Sequence, residues 1–209
     1  MTVDEIVQRV GARSRLLASG LPVTKPPLGS DFSLNGVVPV PTSFRPAAVL
    51  VPLVRREAEI TVLLTQRTED MPSHAGQIAF PGGRKQAEDA DAEATALRET
   101  EEEVGISRKF VQVIGEVDPY RTGTGYEITP VVGIVTPGFT IHADPREVAD
   151  VFEVPLDHFL DERNHRIDSR TWQGRERRYY AMPYGERYVW GATAGMLKNL
   201  WRILSDTPE

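Results

Sequence analysis

Apolar residues recur along the chain in two periods. Val3, Ile6, Val7, Val10, Leu16 and Leu17 follow a partly helical spacing, which predicts an amino-terminal helix over 3–18. The next stretch, 21–46, is dense in Pro and Gly and reads as an irregular lead-in. Beyond it the pattern changes to short apolar runs. "AAVLVPLV" (47–54) and "ITVLLTQR" (60–67) read as strands, and the polar "RREAE" between them suits a hairpin connection. An irregular loop over 68–76 leads to a short strand, "QIAF" (77–80). "VQVIGEV" (111–117) and "YEITPVVGIV" (126–135) are further strands, joined by the loop "DPYRTGTG". "ADVFEVPL" (149–156) is another, and 161–178 reads as a charged hairpin around "QGRERRYY". Finally, "WGATAGMLKNLWRIL" (190–204) has apolar residues at helical intervals and predicts a helix that packs back on the sheet. Strands dominate and no repeat is present. The pattern predicts an α+β sandwich rather than alternating βαβ units.

One internal helix stands out. Ala92 to Val104 is built of good helix formers with no Gly or Pro, and Gly105 follows where a left-handed cap belongs. Leu97, Thr100 and Val104 share one face; Glu99, Glu102 and Glu103 are expected on the opposite one. A tight "PGG" turn (81–83) is expected just upstream.

Charge makes this helix unusual. Between Glu88 and Glu103 stand eight acidic residues and one basic residue, Arg98, a net of −7 where the whole chain carries −6. Like charges three and four residues apart repel. Glu101, Glu102 and Glu103 also crowd the end of the helix where its dipole is already negative. A divalent cation is the simplest missing ingredient, and oxygen-only ligands point to Mg²⁺ or Mn²⁺. A glutamate-rich face that merely meets solvent is the plain alternative. It leaves the glycine turn and the strand–turn–helix layout unexplained.

The remaining composition narrows the class. With 209 residues and 40% hydrophobic content, a single domain with an added terminal element is expected. There is no cysteine, so neither disulfides nor thiolate chemistry is available. No secretory leader or membrane-length apolar run is evident, and a cytoplasmic location is expected. The net charge of −6 argues against nucleic-acid binding. No histidine cluster at zinc spacing accompanies His74, and "SHAG" offers no nucleophile elbow.

"RETEEEVGI" (98–106) resembles the second half of the Nudix hydrolase box, in which Gly-x5-Glu-x7-Arg-Glu precedes two further glutamates, a glycine and an aliphatic residue. Arg98, Glu99, Glu102, Glu103, Gly105 and Ile106 match, whereas Thr100 stands at an aliphatic position. Counted from Gly83 the first acid is Asp89, and eight residues rather than seven separate it from Arg98. The first-acid role is therefore open among Asp89, Glu88 and Asp91. "LLTQRTEDMPSHAGQIAFPGG" (63–83), "YRTGTGYEITPVVGIV" (120–135) and "YVWGATAGML" (188–197) resemble the coenzyme A pyrophosphatase branch, although Pro72 stands where that branch has an arginine.

The resemblance implies a Nudix-like α/β/α sandwich with a mixed central sheet and a catalytic strand–loop–helix. It divides the chain into a helix and extension (1–46), the hydrolase domain (47–204) and a short tail (205–209). The implied activity is metal-dependent cleavage of a nucleoside diphosphate linked to another moiety, coenzyme A or an acyl derivative first. ADP-ribose, dinucleotides and damaged nucleoside triphosphates stay open, as does a noncatalytic nucleotide sensor. Gly83, Glu99, Glu102 and Glu103 are the implied metal ligands, with Arg98 holding a glutamate in place. Glu147 resembles the later-loop general base, and Glu127 is a weaker candidate. Arg67, Arg84 and Arg121 are placed to clamp phosphates. The amino-terminal segment and the last helix are candidates to build a homodimer.

Overall fold

The computed structural model describes residues 1–20, 30–35, 42–71, 74–172 and 174–205. Pro72 and most of the lead-in lie outside these.

The first helix, α1 (Val3–Ala18), starts at a reciprocal cap. The Thr2 hydroxyl accepts from the Glu5 amide at 3.3 Å, and the Glu5 carboxylate accepts from the Thr2 amide at 2.7 Å. Its Ile6 and Val10 are fully buried, so the helix contributes to the main core.

Strand β1 (Arg45–Arg55) is the hub of an eight-stranded mixed sheet. Seven of its eleven residues, Ala48 to Val54, are buried, as expected for a strand covered on both faces. One edge pairs in parallel with β7 (Tyr126–Val135), from Arg45 opposite Tyr126 to Val54 opposite Val135. The other edge is shared. Its carboxyl-terminal half pairs with β2 (Ile60–Arg67) in the expected hairpin, Leu53 opposite Val62. Its amino-terminal half pairs with β4 (Gly82–Arg84), Ala47 opposite Arg84. Strand β2 pairs along its length with β8 (Val148–Pro155), Thr61 opposite Pro155, and beyond Val62 it leaves β1 to pair with β3 (Ile78–Ala79). The parting of β2 from β4 opens the sheet next to the acidic helix. Strands β5 (Val111–Glu116) and β6 (Tyr120–Arg121) extend the β7 side. A separate hairpin, β9 (Arg166–Trp172) with β10 (Arg175–Ala181), agrees with the reading of 161–178.

Helices cover both faces. Ala48 and Leu50 of β1 pack on Ala96 and Leu97 of α2 (Ala92–Val104). The alternate residues Val49, Val51 and Leu53 join Ile6, Val10 and Phe159 in the larger core. Leu197 and Leu200 of α4 (Ala192–Ser205) complete that side. This is the expected α/β/α layering.

Three short elements correct the sequence reading. "PGG" is not a free turn: Gly82 and Gly83 already belong to β4. A Cβ on Gly82 would lie 2.6 Å from the Val49 Cα, so glycine is what lets the strands meet. Strand β6 lies within the expected loop 118–125. After Pro155 the chain forms a five-residue helix, α3 (Leu156–Leu160), whose Phe159 fills the main core. No helix among the described residues is long and apolar enough to cross a membrane.

Candidate active site

The acidic helix begins and ends as its sequence dictates. Asp91 is the N-cap, its carboxylate accepting from the Ala94 amide at 2.8 Å. Gly105 closes the helix at φ 75°, a conformation that suits glycine. Leu97, Thr100 and Val104 are buried as expected. Glu103 is not on the solvent face: it is 6% exposed. At 100° per residue it sits about 60° round the axis from Thr100, on the border of the buried stripe. Strand β4 covers that border, and the Gly82 amide donates to the Glu103 carboxylate at 3.2 Å.

Arg98 answers much of the charge problem. Its guanidinium grips Asp89 with two parallel bonds of 2.9 Å. Its Nη1 donates to Glu99 at 2.8 Å and to Glu102 at 2.9 Å, and Nη2 reaches the Arg84 carbonyl at 3.3 Å. Lysine has no such planar fork. Asp89, 7% exposed, also accepts from the Gln86 amide and the Thr95 hydroxyl. These bonds, Arg98's foremost, hold its carboxyl far below the usual carboxylate range. Of the three residues open for the first acid, Asp89 is the one joined to Arg98. Asp91 is spent on the helix cap, and Glu88 is exposed.

The helix end is neutralised by the main chain. The Glu103 and Val104 carbonyls, which an isolated helix would leave bare, accept from the Asp144 and His142 amides at 2.9 Å each. The same loop carries Glu147, whose amide donates to the Asp144 carbonyl at 3.0 Å. The Glu147 carbonyl in turn accepts from the Thr68 amide at 3.0 Å, one residue beyond Arg67.

Glu99, Glu103 and Glu147 are therefore neighbours. Burial, opposed by Arg98, pushes the Glu99 carboxyl up, with further contributions from Glu102 and Glu147. Burial also pushes Glu103 up to about 7, with Glu99 and Glu147 adding to the rise, against the Gly82 amide and Arg67. Two carboxyls that resist ionisation side by side are what a cation would relieve. The Glu99 carboxylate rests against Gly83, where an added Cβ would lie 2.6 Å from Oε2. Arg67 completes the corner. Its Nε is buried and has no hydrogen-bond partner among the described residues. Such an orphaned donor beside a carboxylate cluster calls for an anionic acceptor.

The oxygen donors fit a hard divalent ion. Among the described residues, however, no three His, Asp or Glu side chains are already drawn together into a cage. Arg98 spans Glu99 and Glu102 instead, and the Glu102 side chain is 58% exposed. Loading a cation would require those two carboxylates to share Arg98 with it.

The other candidates lie further out. Arg84 is exposed and stands over the Tyr126 ring at 5.3 Å. Arg121 is paired with Glu127 at 2.7 Å and stands over Phe44 at 5.2 Å. Neither contacts a box carboxylate through its side chain among the described interactions. One participant was missed in the sequence. The Gly82 amide could not be found because its role depends on Glu103 being buried.

A sheet that parts at a glycine strand, with the acidic helix lying against the gap, defines a Nudix domain. A family model described as NUDIX domain matches residues 44–173. The chain belongs to the Nudix hydrolase family, enzymes that act on pyrophosphate bonds and generally use divalent metal ions. A protein of Pectobacterium atrosepticum described as uncharacterized Nudix hydrolase NudL is 40% identical over 186 residues, spanning 86% of this chain and 96% of its own. A protein of Enterobacter sp. with the same description is 46% identical over 157 residues, 75% of this chain and 81% of its own. Among solved structures, a Nudix hydrolase from M. smegmatis, RenU, superposes with a TM-score of 0.55 over 80% of this chain and 89% of its own, at 18% identity. That likeness is one of fold.

Proposed function

We propose that the chain hydrolyses the diphosphate of a nucleoside diphosphate linked to another moiety, with coenzyme A or an acyl-CoA as the favoured substrate and Mg²⁺ or Mn²⁺ as the cofactor. The observation that carries this reading is the convergence of Glu99, Glu103 and Glu147 with the Arg67 Nε, which lacks a partner among the described residues, where β2 parts from β4. Coenzyme A is favoured by the resemblance of 63–83, 120–135 and 188–197 to that branch.

Glu99, Glu102 and Glu103, with the Gly83 carbonyl, would hold the cation. When bound, it would neutralise the diphosphate and activate a water for attack. The chain supplies the rest. Arg98 keeps Glu99 and Glu102 in one orientation through its grip on Asp89. Arg67, whose buried Nε has no hydrogen-bond partner among the described residues, would donate to a phosphate oxygen in a charge-assisted bond. Glu147, whose charge helps raise both carboxyls, would accept the proton of the attacking water. Arg84 and Arg121 are exposed and can reach more distant phosphates.

The test is a substrate panel with Mg²⁺ or Mn²⁺: coenzyme A, ADP-ribose, NADH, diadenosine polyphosphates and nucleoside triphosphates, with products identified. Cleavage of coenzyme A to 3′,5′-ADP and 4′-phosphopantetheine, reduced about 10²-fold or more by Glu103→Gln, is expected. Preferential cleavage of another member would move the substrate. Rates equal to the variant across the panel would replace hydrolysis by nucleotide sensing.

A further inference from the structure

A cavity of about 410 Å³ lies beyond Arg67, lined by Gln66, Gly76, Ile78, Arg187, Tyr188 and Trp190. Its size falls in the range of small-molecule sites. No role proposed above uses it. Resting on the hydrolase reading, we propose that this cavity is the subsite for the adenine ring of the substrate's nucleotide half.

The walls are rigid and aromatic. The Trp190 ring has Tyr179 at 5.0 Å, Tyr188 at 6.4 Å and inclined by 31°, and the Arg170 guanidinium at 4.8 Å. Tyr188, 39% exposed, is anchored by its hydroxyl, which donates to Asp168 at 2.6 Å. A part-exposed tyrosine ring held in place beside Trp190 is a platform on which a flat heterocycle stacks.

The polar groups select the ring. Arg187 is fixed: it donates to Gln66 Oε1 at 2.7 Å and to Asp150 at 2.5 Å, and lies over Phe152 at 4.4 Å. It therefore orients Gln66 and leaves the amide nitrogen as the available group. That nitrogen makes only a 3.5 Å contact to the Gly76 carbonyl, at the outer limit for a hydrogen bond. Glu186 adds a carboxylate to the lining. One donor and one anionic acceptor in the same cavity complement a ring nitrogen beside an exocyclic amine, the pattern of adenine. Guanine entering by the equivalent edge would set its carbonyl oxygen against the carboxylate.

Position connects the cavity to the chemistry. The β2–β8 register shifts between Gln66 and Arg67, an irregularity that re-aims adjacent side chains. Gln66 joins the cavity while Arg67 faces Glu103, so base and diphosphate subsites meet at one dipeptide.

The test uses 5′-AMP and 5′-GMP, which lack the scissile bond, titrated into the full chain by calorimetry and tryptophan fluorescence. We expect AMP to bind about tenfold tighter than GMP. Tyr188→Leu, a change at a part-exposed ring, should weaken AMP about tenfold, whereas Trp190→Phe keeps a stacking face and should weaken it less. On the substrate found by the panel, Tyr188→Leu should raise KM about tenfold with kcat within twofold. The subsite is overturned if AMP does not bind, if GMP binds equally, or if a folded Tyr188→Leu binds AMP like the wild type. Normal hydrolysis with AMP blind to Tyr188 and Trp190 would sink the subsite alone. AMP binding that depends on them, without hydrolysis of any panel member, would sink the hydrolase reading alone.

Discussion

Replacing Gly83 by alanine should separate folding from catalysis. The Gly83 backbone is not in the left-handed region, so alanine adopts it without strain. The added Cβ, however, would lie 2.6 Å from the Glu99 Cδ and Oε2 and 2.7 Å from Oε1. Ordinary contact needs about 3.5 Å, so the carboxylate must retreat by about 1 Å. Glu99 is the flexible end of a side chain and can do so. The retreat costs about 0.5–1.5 kcal/mol in rotamer strain and about 1 kcal/mol for the weakened bond to Arg98. Alanine returns about 0.4–1 kcal/mol by stiffening the unfolded chain. The net loss of about 1 kcal/mol lowers the melting temperature by about 2–4 °C. Catalysis suffers far more, because a misplacement of about 1 Å costs about 10²-fold. Thermal melts and kcat on the substrate found by the panel measure both sides. A folded Gly83→Ala enzyme turning over within threefold of the wild type would refute the role given to the Glu99–Gly83 contact.

The neighbouring glycine should behave in the opposite way. A Cβ at Gly82 meets the Ala48–Val49 backbone, which cannot step aside, so Gly82→Ala should detach β4 and lower stability by about 3 kcal/mol or more; denaturant unfolding checks this, and a wild-type midpoint would contradict it. Glu103 links stability to pH. Its pKa in the cation-free fold is about 7 against 4.5 for an ordinary glutamate, so its protonated form stabilises fully below about 4.5, and that contribution fades as pH climbs through 7. Without cation the chain should lose on the order of 3 kcal/mol between pH 5 and 8, a loss that Glu103→Gln abolishes. Equal melting slopes for the two proteins would show that Glu103 ionises freely.

The legible part of the sequence was what local physics dictates. Strands β2 and β7 have the bounds their apolar runs announce, and α2 runs from its aspartate cap to Gly105. What escaped was set by contacts between distant segments. Strand β4 has three residues, two of them glycine, so no alternation could reveal it; only the neighbouring β1 makes it a strand. Glu103 sits on a helix border, and whether it meets solvent depends on that same strand. The choice of Asp89 over Glu88 or Asp91 turned on reach to Arg98, and the one-residue-longer loop concealed it in the spacing. The cavity could not be read at all, since Gln66 and Trp190 meet only through distant segments: Thr193 of α4 donates to the Ile78 carbonyl of β3, and Trp190 bridges to Ala181 of β10.

The amides of His142 and Asp144, bonded to the last carbonyls of α2, have a consequence for how this loop can change. Those bonds involve no side chain, and Thr68 clasps Glu147 through its carbonyl in the same way. The spacing between Glu147 and the helix glutamates is thus written in backbone. A proline at 142 or 144 would remove one of those amides and loosen the corner, whereas a change at 143 leaves each of these backbone bonds in place.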